Sequence, residues 1–187
     1  NHAHEIWACD FTTVNNLFFK PIYTFVIMEH ESRKIIHTAV TANPTDEWTA
    51  QQLREATPWG NRPKYLIRDN DSKFGKQFSA VAKSSGIEEL KTAFQAPKAN
   101  AHCERLIGSL RRECLDHFLI VNQYQLKRIV TAYAEYYNQH RAHQGIQQRI
   151  PAKLGQPRLR LSNQVKSKVI ATPMLNGLHR SYAYAAC

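Results

Sequence analysis

The stretch "EIWACDFTTVNNLFFKPIYTFVIMEHESRKIIHTAVTA", residues 5–42, decides the fold class of this chain. Three runs within it, 5–14, 22–30 and 34–42, are rich in β-branched and aromatic residues, which favour β-strands. The runs are joined by short connections, and strands joined in this way pair most readily as an antiparallel meander. We therefore expect the chain to begin with three antiparallel strands.

The next segments alternate between helix and strand. The predicted elements are a helix at 45–56 capped by Thr45, a strand at 64–69, a helix at 76–86 ending at Gly86, and a strand at 89–94. Strands that are connected through helices lie parallel to one another. The sequence therefore predicts an α/β fold with a mixed sheet.

Two more helices complete the predicted core. The segment 100–118 begins with Asn100, a good N-cap residue, and carries an apolar stripe at three- and four-residue steps formed by Cys103, Ile107, Leu110, Cys114 and Phe118. A second helix is predicted at 123–140. Prolines at 151 and 157 then mark a boundary. We expect a core domain at 1–150 and an extension at 151–187 with one strand pair, near 168–173 and 179–184.

The charge of the chain is concentrated near its end. The chain has 187 residues, enough for one domain with a proper core, and a formal net charge of +10. No Asp or Glu follows Glu135, whereas eight basic side chains do: Arg141, Arg149, Lys153, Arg158, Arg160, Lys166, Lys168 and Arg180. A basic block of this kind indicates a polyanionic partner. A solvated tail is the alternative interpretation.

The cysteines and the apolar runs exclude several classes of protein. The four cysteines form neither a C-x-x-C pair nor a disulfide framework, so a reducing, cytoplasmic setting is expected. The apolar runs are too short to span a bilayer, and no signal-peptide pattern opens the chain. Because the first residue is not methionine, we expect the chain to be part of a longer protein.

Three acidic residues occupy positions that suit a metal site. Asp10 lies within the first predicted strand, Asp69 ends a later one, and Glu104 falls in the first turn of a helix. Carboxylates brought together repel one another unless a cation lies between them, and Mg²⁺ prefers such oxygen ligands. Structural roles for the aspartates and a capping role for Glu104 are the alternatives. A zinc site with His102 and Cys103 lacks a fourth ligand at suitable spacing.

Three motifs occur in an order that resembles a known family. They are W-x-x-D-x-T at 7–12, RDNDSKF at 68–74 and NAHCERLIGSLRRECLDHF at 100–118. In this order they resemble the catalytic domain of DDE transposases and retroviral-type integrases. The stretch YYNQHRAHQGIQQRIPAKL at 136–154 is similar to the Y-N-x-x-R-P-H segment that closes this domain in bacterial insertion-sequence transposases.

The resemblance implies an RNase H-like fold, with a mixed five-stranded sheet flanked by helices and a basic C-terminal extension. The family's catalytic and metal-binding triad carries over to Asp10, Asp69 and Glu104, with two Mg²⁺ or Mn²⁺ ions as cofactors. The implied reaction is cleavage at DNA 3′ ends followed by strand transfer. The residues expected to contact DNA are Arg105, Arg111, Arg112, Arg141, His143, Arg158, Arg160, Lys166 and Lys168.

The implied partners are the DNA at element ends and at the target, with a homo-oligomer assembled on that DNA. The implied location is the bacterial cytoplasm, with action at the nucleoid and none at a membrane. Two alternatives stay open at this point. One is an RNase H-like nuclease that only hydrolyses, and the other is a non-catalytic module that binds DNA.

The chain departs from the family pattern at three points. Asp69 and Glu104 are separated by 34 residues, one fewer than is usual. Asp71 replaces the glycine of the usual D-N-G-S motif, and Ala142 replaces the usual proline between Arg141 and His143. Asp tolerates the turn conformations that glycine favours, so the loop can be kept. Asp71 also offers a second carboxylate near the metal, and a structural role for His143 is as compatible with the sequence as DNA contact.

Overall fold

A computed structural model describes residues 2–92, 100–156 and 168–185 of the chain. Its main element is a five-stranded sheet with the strand order β3-β2-β1-β4-β5. The strands are β1 (Ile6–Asn15), β2 (Pro21–Glu29), β3 (Ile35–Thr41), β4 (Tyr65–Arg68) and β5 (Glu88–Lys91). The pairs β1–β2 and β2–β3 are antiparallel, whereas β1–β4 and β4–β5 are parallel. The predicted mixed sheet and its meander are confirmed.

Four helices cover the two faces of the sheet. They are α1 (Asp46–Ala56), α2 (Lys76–Ser84), α3 (Ala101–Glu113) and α4 (Gln123–Gln139). On one face α3 and α4 pack on Ala8 of β1, and on the other α1 and α2 pack on Trp7 and Cys9. This alternation follows from the period of two along a strand, because successive side chains point to opposite faces.

Side chains cap the N-termini of helices α1 and α4. Thr45 Oγ1 accepts a hydrogen bond from Trp48 N at 3.2 Å, as predicted, and the Asn122 side chain accepts one from Gln125 N at 2.9 Å. Asn100 holds the predicted N-cap position of α3, but its side chain makes no capping hydrogen bond. Its side-chain amide donates to the carbonyl oxygen of Cys9 instead, at 3.3 Å.

The described part of the extension forms the predicted strand pair. β6 (Val169–Met174) and β7 (His179–Tyr184) make an antiparallel hairpin. The hairpin contacts α4, because the His179 ring stacks on Tyr136 with centroids 4.4 Å apart. Arg158, Arg160 and Lys166 lie outside the described residues. Within the described ranges, no helix has the length and apolar character needed to cross a bilayer.

Candidate active site

Asp10 and Asp69 come together because of the register between β1 and β4. The two parallel strands pair Ile6 with Tyr65 and Ala8 with Ile67. Continuing this register by two residues sets Asp10 beside Asp69, where β4 has ended and β1 continues. The carboxyl ends of parallel strands are the usual location of ligand sites in such sheets. The first two predicted carboxylates therefore share one edge of the sheet.

Helix α3 brings the third carboxylate to this edge. The helix is attached to β1 on both sides of Asp10. On the N-terminal side of Asp10, the Asn100 side chain donates to the Cys9 carbonyl. On the C-terminal side, Arg111 Nη1 donates to Thr12 Oγ1 at 3.1 Å and to the Thr13 carbonyl at 2.9 Å. Glu104 lies in the first turn of α3, between these two attachments, and its side chain is exposed. The two attachments place the first turn of α3 beside β1, where the charge of Glu104 raises the pKa of Asp10.

The pKa of Asp10 responds to the other two carboxylates. Burial and then the negative charges of Asp69 and Glu104 raise the pKa of Asp10 to about 6, against a backbone hydrogen bond from Phe11 that lowers it. Burial also raises the pKa of Asp69, against a backbone hydrogen bond from Asp71 that lowers it. A nearby cation would reverse both shifts, because it favours the charged carboxylates.

The loop after β4 distinguishes Asp69 from Asp71. Although partial burial alone would raise the pKa of Asp71, hydrogen bonds from Lys73 lower it below the usual value. Lys73 donates to Asp71 through its backbone N at 2.9 Å and through Nζ at 2.5 Å. Asp71 is therefore neutralised within its own turn, whereas Asp69 accepts only a 3.3 Å bond from the Asp71 amide. This geometry favours Asp69 as the second carboxylate.

A buried arginine supports the start of this loop. Arg68 is 1% exposed, and its Nε donates to Glu89 Oε2 at 2.5 Å. Its Nη1 donates to the carbonyl oxygen of Asp69 at 3.0 Å. The guanidinium also lies over the rings of Phe74 and Phe78, at 5.3 and 5.9 Å from their centroids. Arg68 thus fixes the backbone of Asp69 from inside the protein.

The end of the same loop is held by α1. The Asp46 carboxylate accepts hydrogen bonds from the backbone N of Gly75, Gln77 and Phe78, at 2.9, 2.8 and 2.9 Å. Residue 75 must be glycine for this approach, because a Cβ there would lie 2.5 Å from Asp46 Oδ2. The first residue of α1 therefore caps α2 and closes the loop that begins with Asp69.

The donor chemistry of the site fits a hard divalent cation. Three carboxylates interact there, and the buried Asn100 Oδ1 accepts no hydrogen bond from the described residues. Oxygen ligands of this kind suit Mg²⁺ and Mn²⁺. In residues 2–92, 100–156 and 168–185, no three His, Cys, Asp or Glu side chains converge closely enough to enclose an ion, so the triad is not a closed cage.

The neighbouring thiols do not make a zinc site. Cys9 and Cys103 are fully buried, and burial raises the pKa of each thiol, with the negative charge of Asp10 adding to the effect. A protonated thiol is a poor metal ligand, because the thiolate is the form that binds. Cys103 instead packs in the core beneath α3, as the apolar stripe predicts.

The predicted DNA-contacting arginines separate onto two faces of α3. Arg111 lies on the face of Glu104 and is held by β1. Arg105 and Arg112 lie on the adjacent face and line a cavity together with Arg141 and His143. Lys168 is exposed at the start of the hairpin. Of the nine predicted residues, the six that the structure describes are thus one beside the carboxylates, four around a cavity and one on the extension.

Arg141 and His143 make contacts within the protein. Arg141 is bound to Glu113 through two hydrogen bonds, at 2.8 and 2.5 Å. His143 is 7% exposed and packs against the ring of Tyr137 with centroids 4.2 Å apart. Both side chains thus have structural roles, and their contact with DNA stays a prediction.

Two residues of the site are missed by the sequence analysis. Arg68 precedes the motif aspartate and would be expected to be exposed, and Asp46 would be expected only to favour the start of its own helix. The one available signal for Arg68 is its position at the end of a short apolar strand. Nothing in the local sequence points to the contact between Asp46 and Gly75.

The comparisons with known proteins identify the family of the chain. Two family models described as "Integrase core domain" match the chain, one over residues 1–92 and the other over residues 85–151. The chain belongs to the integrase core domain family. The resemblance on which the sequence analysis relies is thereby confirmed.

A curated relative of this integrase core domain comes from a bacterial insertion element. The "Insertion element IS476 uncharacterized 39.2 kDa protein" of Xanthomonas euvesicatoria is 24% identical over 141 residues, which cover 75% of this chain and 41% of the relative. The chain spans about half the length of the curated relatives it matches, at 41% and 54%.

Solved structures confirm the RNase H-like fold. The catalytic core domain of HTLV-2 integrase, solved in complex with magnesium, has a TM-score of 0.65 at 15% identity, covering 81% of this chain and 95% of that chain. A chain of the simian T-cell lymphotropic virus intasome, in complex with PP2A regulatory subunit B56 gamma, has a TM-score of 0.70 at 16% identity. It covers 98% of this chain and 67% of that chain.

Proposed function

We propose that this integrase core domain catalyses metal-dependent cleavage at DNA 3′ ends and strand transfer, with Asp10, Asp69 and Glu104 as the catalytic and metal-binding residues. The observation that carries the proposal is the pKa of Asp10, which burial and then the charges of Asp69 and Glu104 raise to about 6. The three carboxylates come from two adjacent parallel strands and from a helix attached to β1 on both sides of Asp10.

The carboxylates would hold two divalent ions, Mg²⁺ or Mn²⁺. When bound, such ions activate the attacking oxygen and stabilise the leaving oxygen of an in-line displacement at phosphorus. Support comes from the magnesium in the HTLV-2 core structure, a neighbour in fold. The protein's own part is positioning: Arg68 fixes the backbone of Asp69, and Arg111 fixes α3 next to the strand that carries Asp10.

The experiment is a nicking and joining assay on duplex DNA with Mg²⁺ or Mn²⁺. Asp10→Asn, Asp69→Asn and Glu104→Gln should each abolish both reactions while the protein stays folded, because each removes a ligand charge without disturbing the core. Asp71→Asn is the matched control and should be much milder, since Lys73 already neutralises Asp71. If Asp71→Asn is inactive and Asp69→Asn retains activity, the second carboxylate is assigned wrongly.

Two further arms test the type of reaction. A substrate with a pre-cut 3′-hydroxyl end isolates strand transfer, so a protein that nicks DNA but never joins such an end is a hydrolytic nuclease. Ca²⁺ accepts looser geometry than Mg²⁺, and we expect it to support little chemistry. Nicking that persists in EDTA would exclude the two-metal mechanism.

The proposed partners are DNA at element ends and at the target, and further copies of the chain assembled on that DNA. The net charge of +10 favours a polyanion. Support for assembly comes from the HTLV-2 core, which is described in trimeric and dimeric forms. Sedimentation of the chain with and without a short duplex tests this part of the proposal.

A further inference from the structure

A basic cavity lies beside α3, on a different face of the helix from Glu104. Its volume is about 490 Å³, within the range of pockets that hold small ligands. The charged and imidazole groups that define it are Arg33, His102, Arg105, Arg112, Arg141 and His143. On α3, the residues at 102, 105, 109 and 112 recur at three- and four-residue steps, which places them on one face.

Most of the positive charge in this cavity is uncompensated. Glu113 is the acid in its wall, and that carboxylate is already bound by Arg141 and by the Tyr133 hydroxyl. Arg33, Arg105 and Arg112 form no ion pair with any acid of the described residues. Three guanidinium groups around one concave surface create a strongly positive potential, which attracts anions.

His143 is an uncharged ring in the wall of this positive cavity. Its pKa is lowered to about 4 by burial and then by the charge of Arg141, against opposing effects of the Tyr137 carbonyl and Glu113. The ring is therefore neutral near pH 7.

His143 presents a buried donor that has no acceptor. Arg141 Nη1 lies 2.9 Å from His143 Nδ1, and because a guanidinium can only donate, Nδ1 must accept. The neutral ring then carries its proton on Nε2. Nε2 is buried, and no acceptor among the described residues, the Tyr137 carbonyl included, has hydrogen-bonding geometry with it. A buried N–H without a partner is costly, so an oxygen in the cavity would satisfy it.

The turn between β2 and β3 brings Arg33 to the cavity. Its backbone N donates to the Glu29 carbonyl at 3.1 Å, and its φ of +64° is part of this turn. Its Nη1 donates to the His30 carbonyl at 2.5 Å. Its Nε lies 3.8 Å from the position a Gly145 Cβ would take, in the segment after α4, so Arg33 forms part of the cavity wall.

We propose that this cavity binds a phosphate group of the DNA backbone, held by Arg33, Arg105 and Arg112 and by the N–H of His143. A tetrahedral oxyanion has several acceptor oxygens, which suits three forked guanidinium donors and one imidazole donor around a single site. The inference rests on the proposed function, because it takes DNA as the source of the phosphate. It adds a second contact point on α3, separate from the carboxylates.

The first experiment uses inorganic phosphate as the probe and the full chain. The ring signals of His143 are followed by ¹H–¹⁵N NMR, and a saturable shift of the Nε2–H resonance is expected. Arg33→Gln and Arg112→Gln should each weaken phosphate binding by about tenfold, as the loss of a charge-assisted hydrogen bond does. Arg54→Gln removes an exposed charge from α1, on the opposite side of the sheet, and should leave binding unchanged.

The second experiment measures DNA affinity against salt concentration for the same variants. Removing a phosphate contact should flatten the slope of log affinity against log salt by about one unit in Arg33→Gln and Arg112→Gln, with no change in Arg54→Gln. An unmoved His143 signal, or wild-type slopes in both cavity variants, would overturn the proposal. Phosphate binding with unchanged DNA slopes would also overturn it, since the cavity would then take free phosphate.

Failure of the cavity proposal differs from failure of the proposed function. If the cavity proposal is wrong, the wild-type chain still nicks DNA with Mg²⁺, and the cavity variants bind DNA with the wild-type affinity and salt dependence. If the proposed function is wrong, the wild-type chain neither nicks nor joins DNA, whether or not it binds phosphate.

Discussion

Replacing Arg68 with methionine should separate the stability of the fold from the positioning of Asp69. Arg68→Met leaves Glu89 without its partner in a place where the two side chains are only 2% and 14% exposed. Breaking a buried ion pair by removing one partner costs about 3–5 kcal/mol of unfolding free energy. For a chain of this size, that corresponds to a decrease in Tm of roughly 6–20 °C.

The double variant Arg68→Met/Glu89→Leu supplies the control. It removes both charges and leaves an apolar side chain against Phe74 and Phe78, so unfolding free energy should return to within about 1 kcal/mol of the wild-type value. The Asp69 carbonyl still lacks its donor, so metal-dependent nicking should stay reduced. Urea unfolding followed by circular dichroism measures the free energy of unfolding, and the nicking assay measures the activity. A single variant as stable as the wild type, or a double variant no better than the single, would refute this reasoning.

Three other outcomes follow from the contacts described above. The folded-state pKa of Asp10 is about 6 against 3.8 for the ordinary group, so the stability linked to it is present below about pH 4 and is lost as pH rises through 6. Asp10→Asn should therefore raise unfolding free energy by about 1–3 kcal/mol at pH 7 in EDTA, but not near pH 4, as urea titrations at the two pH values would show. Gly75→Ala should lower the free energy of unfolding by about 1–3 kcal/mol, because the added Cβ would displace the Asp46 carboxylate that caps α2. Gly155→Ala places its Cβ where no atom lies within 4 Å and should leave the free energy of unfolding unchanged. Truncation after Leu154 should leave a folded core and flatten the salt dependence of DNA binding by several units; equal slopes for the two chains would mean that the extension does not touch phosphate.

The first three strands and the helices of this chain are predictable because their signals are local. The strands at 5–14, 22–30 and 34–42 are rich in β-branched and aromatic residues, whereas α3 carries an apolar stripe at helical spacing. The register of β1 against β4 is not visible in the sequence, since it depends on how α1 and the loop before β4 return the chain to the sheet. That register is what sets Asp10 beside Asp69.

The sequence does not show which distant partner a polar side chain will find. Asn100 takes the predicted N-cap position, yet its side chain donates to Cys9, 91 residues away. Arg141 pairs with Glu113, 28 residues away, and its contact with DNA stays a prediction. Arg111 and Arg112 are neighbours in sequence, but a helical period of 3.6 residues turns them to different faces, which the sequence alone does indicate.

The loop from Asp69 to Gly75 is held at its two ends by residues that do not belong to it. Arg68 holds its first carbonyl from the core, and Asp46 holds its last amide from another helix. Between them, Asp71 holds the turn itself, because its carboxylate accepts from Lys73 and its carbonyl accepts from Phe74 N. The loop that presents Asp69 therefore depends on α1 and on the interior behind β4 as well as on its own residues. A substitution at either of these places would reach Asp69 through the backbone.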